Sequence, residues 1–170
     1  GNGVVTLTAY NQTSDLDVAH STTLTVKEGG LAAKANESIT VNFGSTAAVA
    51  EKDKGTATLK FGADAKLGYV DADSSAKDSV ATFVVGKDTN AVIESANITL
   101  KNAVFHNEGE LTFSGNVAVD QNLDTTAEAG KFKVVGDLTV APTTADAVSY
   151  TAKNVYVGAD TAPTPPDALK

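Results

Sequence analysis

A short apolar unit closed by glycine recurs along this chain, and it limits the possible folds more than any other feature. It reads Ile39-Thr-Val-Asn-Phe-Gly44, Ala57-Thr-Leu-Lys-Phe-Gly62 and Ala81-Thr-Phe-Val-Val-Gly86, with shorter copies at Leu111-Thr-Phe-Ser-Gly115 and Phe132-Lys-Val-Val-Gly136. Residues two apart on a strand share a face, so each unit offers one apolar face and one face of Thr, Asn, Lys or Val. The closing glycine permits a sharp corner. The densest run is Asn97 to Val140, where the alternations Ile98–Leu100, Leu111–Phe113, Val117–Val119, Phe132–Val134 and Leu138–Val140 are separated by Gly, Asn and Asp.

Anchoring the pattern at Leu24, Ile39, Ala57, Ala81, Ile98, Leu111, Phe132 (or Leu138) and Val155 gives steps of roughly 13 to 24 residues. A repeat of about 20 residues, with one short strand and one Gly or Asn corner each time, predicts an all-β chain wound as a β-solenoid of the parallel β-helix kind. Eight anchors would make eight rungs. A β-sandwich is the alternative, since it too strings short strands between turn signals every 8 to 12 residues or so. Val4–Tyr10, with Val5, Leu7 and Ala9 on one face, and Leu16–Ala19, Thr22–Val26 and Val155–Val157 read as further strands. Ala47–Lys54 and Thr126–Lys131 have helical propensity for a turn or two at most.

A length of 170 residues fits one domain burying roughly 70% of its unfolded surface. Residues 1–158 carry the strand pattern and form that domain. Residues 159–170 form a tail of different character, in which Pro163, Pro165 and Pro166 favour extended chain. The tail reads as a disordered terminus or linker, or as an arm docked on its own domain or on a neighbouring subunit. Because the chain begins at Gly1 and leads at once into a strand, it is read as a mature, processed or excised form.

Composition narrows function mostly by exclusion. Apolar residues make up 42% of the chain but aromatics only 6%, so the core is built from small side chains, which suits stacked layers. There is no Cys, hence no disulfide, thiolate metal site or thiol nucleophile. All 13 basic residues are Lys, and the net charge is −8. Without Arg, the usual bidentate reader of phosphate and guanine, and with a surface that repels polyanions, nucleic acid is not an expected partner. No apolar run approaches the roughly 20 residues of a membrane-spanning helix, so no membrane insertion is expected.

Catalytic signatures are missing from the sequence. His20 and His106 lie in unrelated stretches without metal-ligand spacing, His106 in a Phe-His-Asn-Glu-Gly run that reads as a corner. No Ser sits in a Gly-x-Ser-x-Gly elbow, and Gly29-Gly30 lacks the Lys-Ser/Thr of a phosphate loop. Carboxylate pairs of glycosidase type could form across strands, but the scarcity of aromatic platforms weighs against a sugar cleft. No enzyme is expected. Two acidic clusters are candidate calcium ligands, Asp15 with Asp17, and Asp71 with Asp73 and Asp78; neither matches a known calcium-loop spacing, and a solvated acidic loop explains both. Calcium is accordingly the one cofactor considered, and no other is expected. Asn11, Asn36 and Asn97 head Asn-x-Ser/Thr sequons and are candidate glycosylation sites.

The run Ile98-Thr-Leu-Lys-Asn-Ala-Val-Phe-His-Asn-Glu-Gly-Glu-Leu-Thr-Phe-Ser-Gly115, continuing to Val119, resembles the rungs of bacterial surface β-helix proteins such as autotransporter passengers and filamentous adhesins. Ile39–Gly44 and Phe132–Val140 carry the pattern more faintly, and similar composition occurs in surface-layer proteins. The resemblance implies an exported, repetitive, non-enzymatic protein at the cell surface. This chain is far shorter than a large passenger, which points toward a self-associating subunit of a filament, sheath or surface layer, with uncapped strand edges as the pairing element. A homo-oligomer or polymer is then the expected partner. The alternative is an adhesin segment binding a glycan or host surface, for which Tyr69, Tyr150 and Tyr156 are the available aromatic contacts; a hydrolase on a β-helix is a third, weaker reading.

Overall fold

The computed structural model describes residues 4–7, 11–12, 15–26, 31–33, 38–44, 55–62, 64–69, 80–101, 103–119, 123–124, 130–140, 150–151 and 155–158. Among them there is no helix; the regular structure is all β. The predicted helical turn at 47–54 and the tail 159–170 lie outside the described residues, as does most of the turn predicted at Thr126–Lys131, whose last residue opens a strand.

The strands fall into three sheets, visited in rotation. The first sheet contains β1 (Val4–Leu7), β4 (Thr23–Val26), β7 (Ala57–Phe61), β10 (Asn90–Glu94), β13 (Glu110–Phe113), β16 (Lys131–Val134) and β19 (Val155–Val157), in that order. The second contains β2 (Asn11–Gln12), β5 (Leu31–Ala33), β8 (Ala65–Tyr69), β11 (Asn97–Lys101), β14 (Asn116–Val119) and β17 (Leu138–Val140). The third contains β3 (Leu16–Val18), β6 (Ser38–Phe43), β9 (Val80–Val85), β12 (Ala103–Asn107), β15 (Leu123–Asp124) and β18 (Tyr150–Thr151). Every strand pairs with the one three places on, and every pairing is parallel. Antiparallel pairing, on which a sandwich is built, is absent from the described strands.

The repeat therefore differs from its sequence reading. One circuit of the three sheets, a rung, takes three strands rather than one, and the described strands make six circuits plus β19. Register fixes its length: Val4 lies beside Thr23, Asn90 beside Glu110, Glu110 beside Lys131 and Phe132 beside Val155, steps of 19 to 23 residues. In this first sheet two steps are longer, Thr23 to Thr58 and Ala57 to Ala91, because residues 45–54 and 70–79 intervene between strands. The anchors chosen from sequence belong to all three sheets, which explains their uneven spacing. Strands β8, β10 and β12 escaped the pattern because Gly68 interrupts one, Ala91 is the first apolar anchor of the second, and Asn107 takes an apolar position in the third.

Alternation places one side chain in two inside the coil. In the first sheet Leu24, Leu59, Ile93, Phe113 and Val134 stack in one register column, all of them buried. Columns Ala65–Ile98–Val117 and Leu67–Leu100–Val119 do the same in the second sheet, and Val41–Phe83–Phe105 in the third. Phe105 is the hub of the aromatic core. It stacks on Phe83 at 5.0 Å between centroids and meets Phe113 and Phe132 edge-on at 5.9 and 5.3 Å, joining the third sheet to the first. Small side chains suffice elsewhere because the three sheets enclose only a narrow interior.

Corners stack as tightly as strands. A Cβ at Gly115 would fall on the carbonyl oxygens of Ser95 and Ala96 in the preceding rung, and one at Gly130 on the carbonyl of Asn107. Glycine is required there by close approach rather than by φ. Two outcomes are expected in thermal or urea unfolding: Phe105→Ala costs about 3–5 kcal/mol through lost burial and cavity, and Gly115→Ala costs about 1–3 kcal/mol by forcing rungs apart. A Gly115→Ala variant as stable as the parent would contradict the corner packing.

Candidate functional site

The polar residues of the rungs face mainly one another. At the entry to the second sheet, Asn97 Nδ2 donates to Asp64 Oδ1 at 2.9 Å, Asn116 Nδ2 donates to Asn97 Oδ1 at 3.1 Å, and the Asp137 N–H donates to Asn116 Oδ1 at 3.0 Å. These four residues occupy the same position in successive rungs and form an exposed ladder. The sequon residue Asn97 is thus exposed, but both ends of its amide are engaged. Asn11 lies in β2 and Asn36 outside the described residues.

The acidic candidates separate in the same way. Asp15 Oδ1 accepts from the Thr40 N–H at 3.0 Å, and Asp17 Oδ1 accepts from Asn42 Nδ2 at 2.8 Å, so both tie the first rung to the second. Asp71, Asp73 and Asp78 lie outside the described residues. Among the described residues no three His, Cys, Asp or Glu converge as metal ligands. His106 sits within β12 on its outer face rather than in a corner, and His20 Nδ1 lies 3.3 Å from the Gly55 carbonyl across a corner. The two histidines are not brought together. Tyr69, Tyr150 and Tyr156 belong to the second, third and first sheets respectively, so they share no single face.

Sequence reasoning missed the buried polar corners. Asn107, 1% exposed, continues the column of Val18, Phe43 and Val85. Its Nδ2 donates to the Lys131 carbonyl at 2.8 Å and its Oδ1 accepts from the Gly109 N–H at 3.0 Å, satisfying backbone groups that the turn from third to first sheet leaves open. Ser95 does similar work at the next corner, donating to the Asn97 carbonyl at 2.9 Å. The clue was available as Asn in an otherwise apolar alternation just before Glu-Gly. On the outer face of the first sheet, Lys60 pairs with Glu94 and Lys133 with Glu110 at 2.8 Å, each between adjacent rungs.

One feature is left unpaired with the rest. The large apolar side chains exposed among the described residues are Val135, Val140 and Val157, and all three lie in the last described circuit and the strand beyond it. Val140 continues the column of Leu67, Leu100 and Val119, and Val157 that of Leu24, Leu59, Ile93, Phe113 and Val134, side chains that are all buried. They are 51% and 48% exposed. Two core columns thus end in half-exposed valines.

Comparison with protein-family models, curated proteins and solved structures yields no match. No helix among the described residues is long and apolar enough to cross a membrane. Asn107→Leu, which removes the acceptor of Gly109 and the donor to Lys131, is expected to lower unfolding free energy by about 1–3 kcal/mol despite its greater apolarity; chemical denaturation that finds the variant equal to or above the parent would refute the capping role.

Proposed function

We propose that this chain is a β-solenoid and a non-enzymatic structural subunit of an extracellular or cell-surface assembly, which self-associates by adding rungs. The observation that carries the reading is the pair Val140 and Val157, core positions by register yet half exposed at the end of the coil. A parallel stack has no intrinsic stop, and the outermost described strands β17 and β19 have backbone groups at the spacing a further rung would use. Extending the stack removes those edges and buries the valines together. Support also comes from the outer faces, where Asp15, Asp17, Lys60, Glu94, Glu110 and Lys133 are engaged between rungs.

The surface location rests on the resemblance of residues 98–119 to surface β-helix rungs. The adhesin reading loses its proposed aromatic platform, since the three tyrosines lie on different sheets.

Negative-stain electron microscopy of the purified chain, with and without calcium, tests this. Fibres or extended rods growing with protein concentration are expected in both conditions. Small monodisperse particles throughout would overturn the reading.

A further inference from the structure

The described corners that lead from the third sheet to the first are short, with one exception. Register bounds them. Val18 lies beside Phe43 and Phe43 beside Val85, while Thr23 lies beside Thr58 and Ala57 beside Ala91. Residues 19–21 therefore close the first of these corners and residues 86–90 the third. Residues 108–110 close the fourth, between Asn107 and Leu111. The second corner, between Phe43 and Ala57, holds residues 44–56.

The two feet of this long corner nevertheless follow the path of a short one. Gly44 N–H donates to the Val18 carbonyl at 2.9 Å, Gly86 N–H to the Phe43 carbonyl at 3.3 Å, and Thr58 N–H to the Thr22 carbonyl at 2.9 Å. Gly44 and Gly55 both sit against the 19–21 turn of the rung before. His20 Nδ1 lies 3.3 Å from the Gly55 carbonyl, and a Cβ on Gly44 would come within 3.2 Å of His20 Nε2. One imidazole ring thus lies against both feet. A Cβ on Gly55 would clash with Ser21, and one on Gly44, where φ is +87°, would clash with Thr89 of the rung above.

We propose that residues 45–54 are an insertion into a three-residue corner, that the coil closes without them through Gly44, Gly55 and Thr56, and that His20 is the clamp holding the two feet together. Neighbouring rungs cross the same gap with three or five residues, so the additional length adds closure entropy that the coil does not require. His20 offsets part of that cost. A carbonyl can only accept, so Nδ1 carries the proton and donates to Gly55 from a turn already fixed between β3 and β4. The corner is then a place where sequence can be added or exchanged while the stack keeps its register.

Two changes to the full chain test this. One deletes residues 45–54, and the other replaces them with an equal length of Gly and Ser. Circular dichroism should show the parent's β spectrum for both. In urea the replacement should unfold at the parent's midpoint, and the deletion at or above it. A lower midpoint for the replacement would show that side chains of 45–54 belong to the packing of the coil, and would overturn the proposal. A deletion that fails to fold beside a stable replacement would show that three residues are too few, and would overturn it as well. The clamp has its own readout. His20→Ala should lower the midpoint of the parent and lower it less in the deletion, where the covalent corner does the holding. Equal losses in the two backgrounds would contradict the clamp.

Discussion

Everything in this molecule depends on register between successive circuits. Once Asn90 lies beside Glu110 and Glu110 beside Lys131, side chains three strands apart in sequence must share a column, and the alternation along each strand decides whether that column is dry or wet. A slip of one residue would exchange Leu111 and Phe113 for Thr112 in the core. The corners enforce the same register independently, because Gly115 and Gly130 approach neighbouring carbonyls too closely to accept a Cβ and can do so only in one alignment. Strands and corners therefore specify one stacking between them, which lets a core poor in aromatics hold a unique structure.

That division of labour accounts for what was legible in the sequence. Ala57–Phe61 and Val155–Val157 were recoverable to the residue from alternation alone, because strands with one apolar face announce themselves whatever they pair with. Strand count per circuit was not, since nothing in a single strand tells which of three sheets it joins; that information lies in long-range pairing, such as Ile98 with Ala65 and Val117. Asn107 was passed over because an amide in an apolar column looks like the end of a strand. In the folded chain it is the strand's own cap, and its cost of burial is offset by the Gly109 and Lys131 backbone groups it satisfies. Asp15 and Asp17 were weighed as ligands because acid two residues from acid is a metal-like spacing. On a strand that spacing also faces two acceptors toward the next rung, which is where Thr40 and Asn42 use them.

On the proposed function, the molecule is a material more than a machine. Among the described residues, Lys60 pairs with Glu94 and Lys133 with Glu110 along the stack, Asn97 and Asn116 form an amide ladder, and the exposed large apolar side chains lie in the last described rungs. The proposed assembly would join one copy to another by the same hydrogen-bonding rule that joins one rung to the next within the chain.

Register can be measured directly because the chain has no cysteine of its own. Val92 and Thr112 lie side by side on the outer face of the first sheet in consecutive rungs, at the roughly 4.8 Å strand spacing that a disulfide can bridge. A Val92→Cys, Thr112→Cys double variant, oxidised at low protein concentration and analysed by mass spectrometry, should form that bond quantitatively within one chain. Free thiols, or bonds found only between chains, would contradict the stacking from which the rest of the account is built.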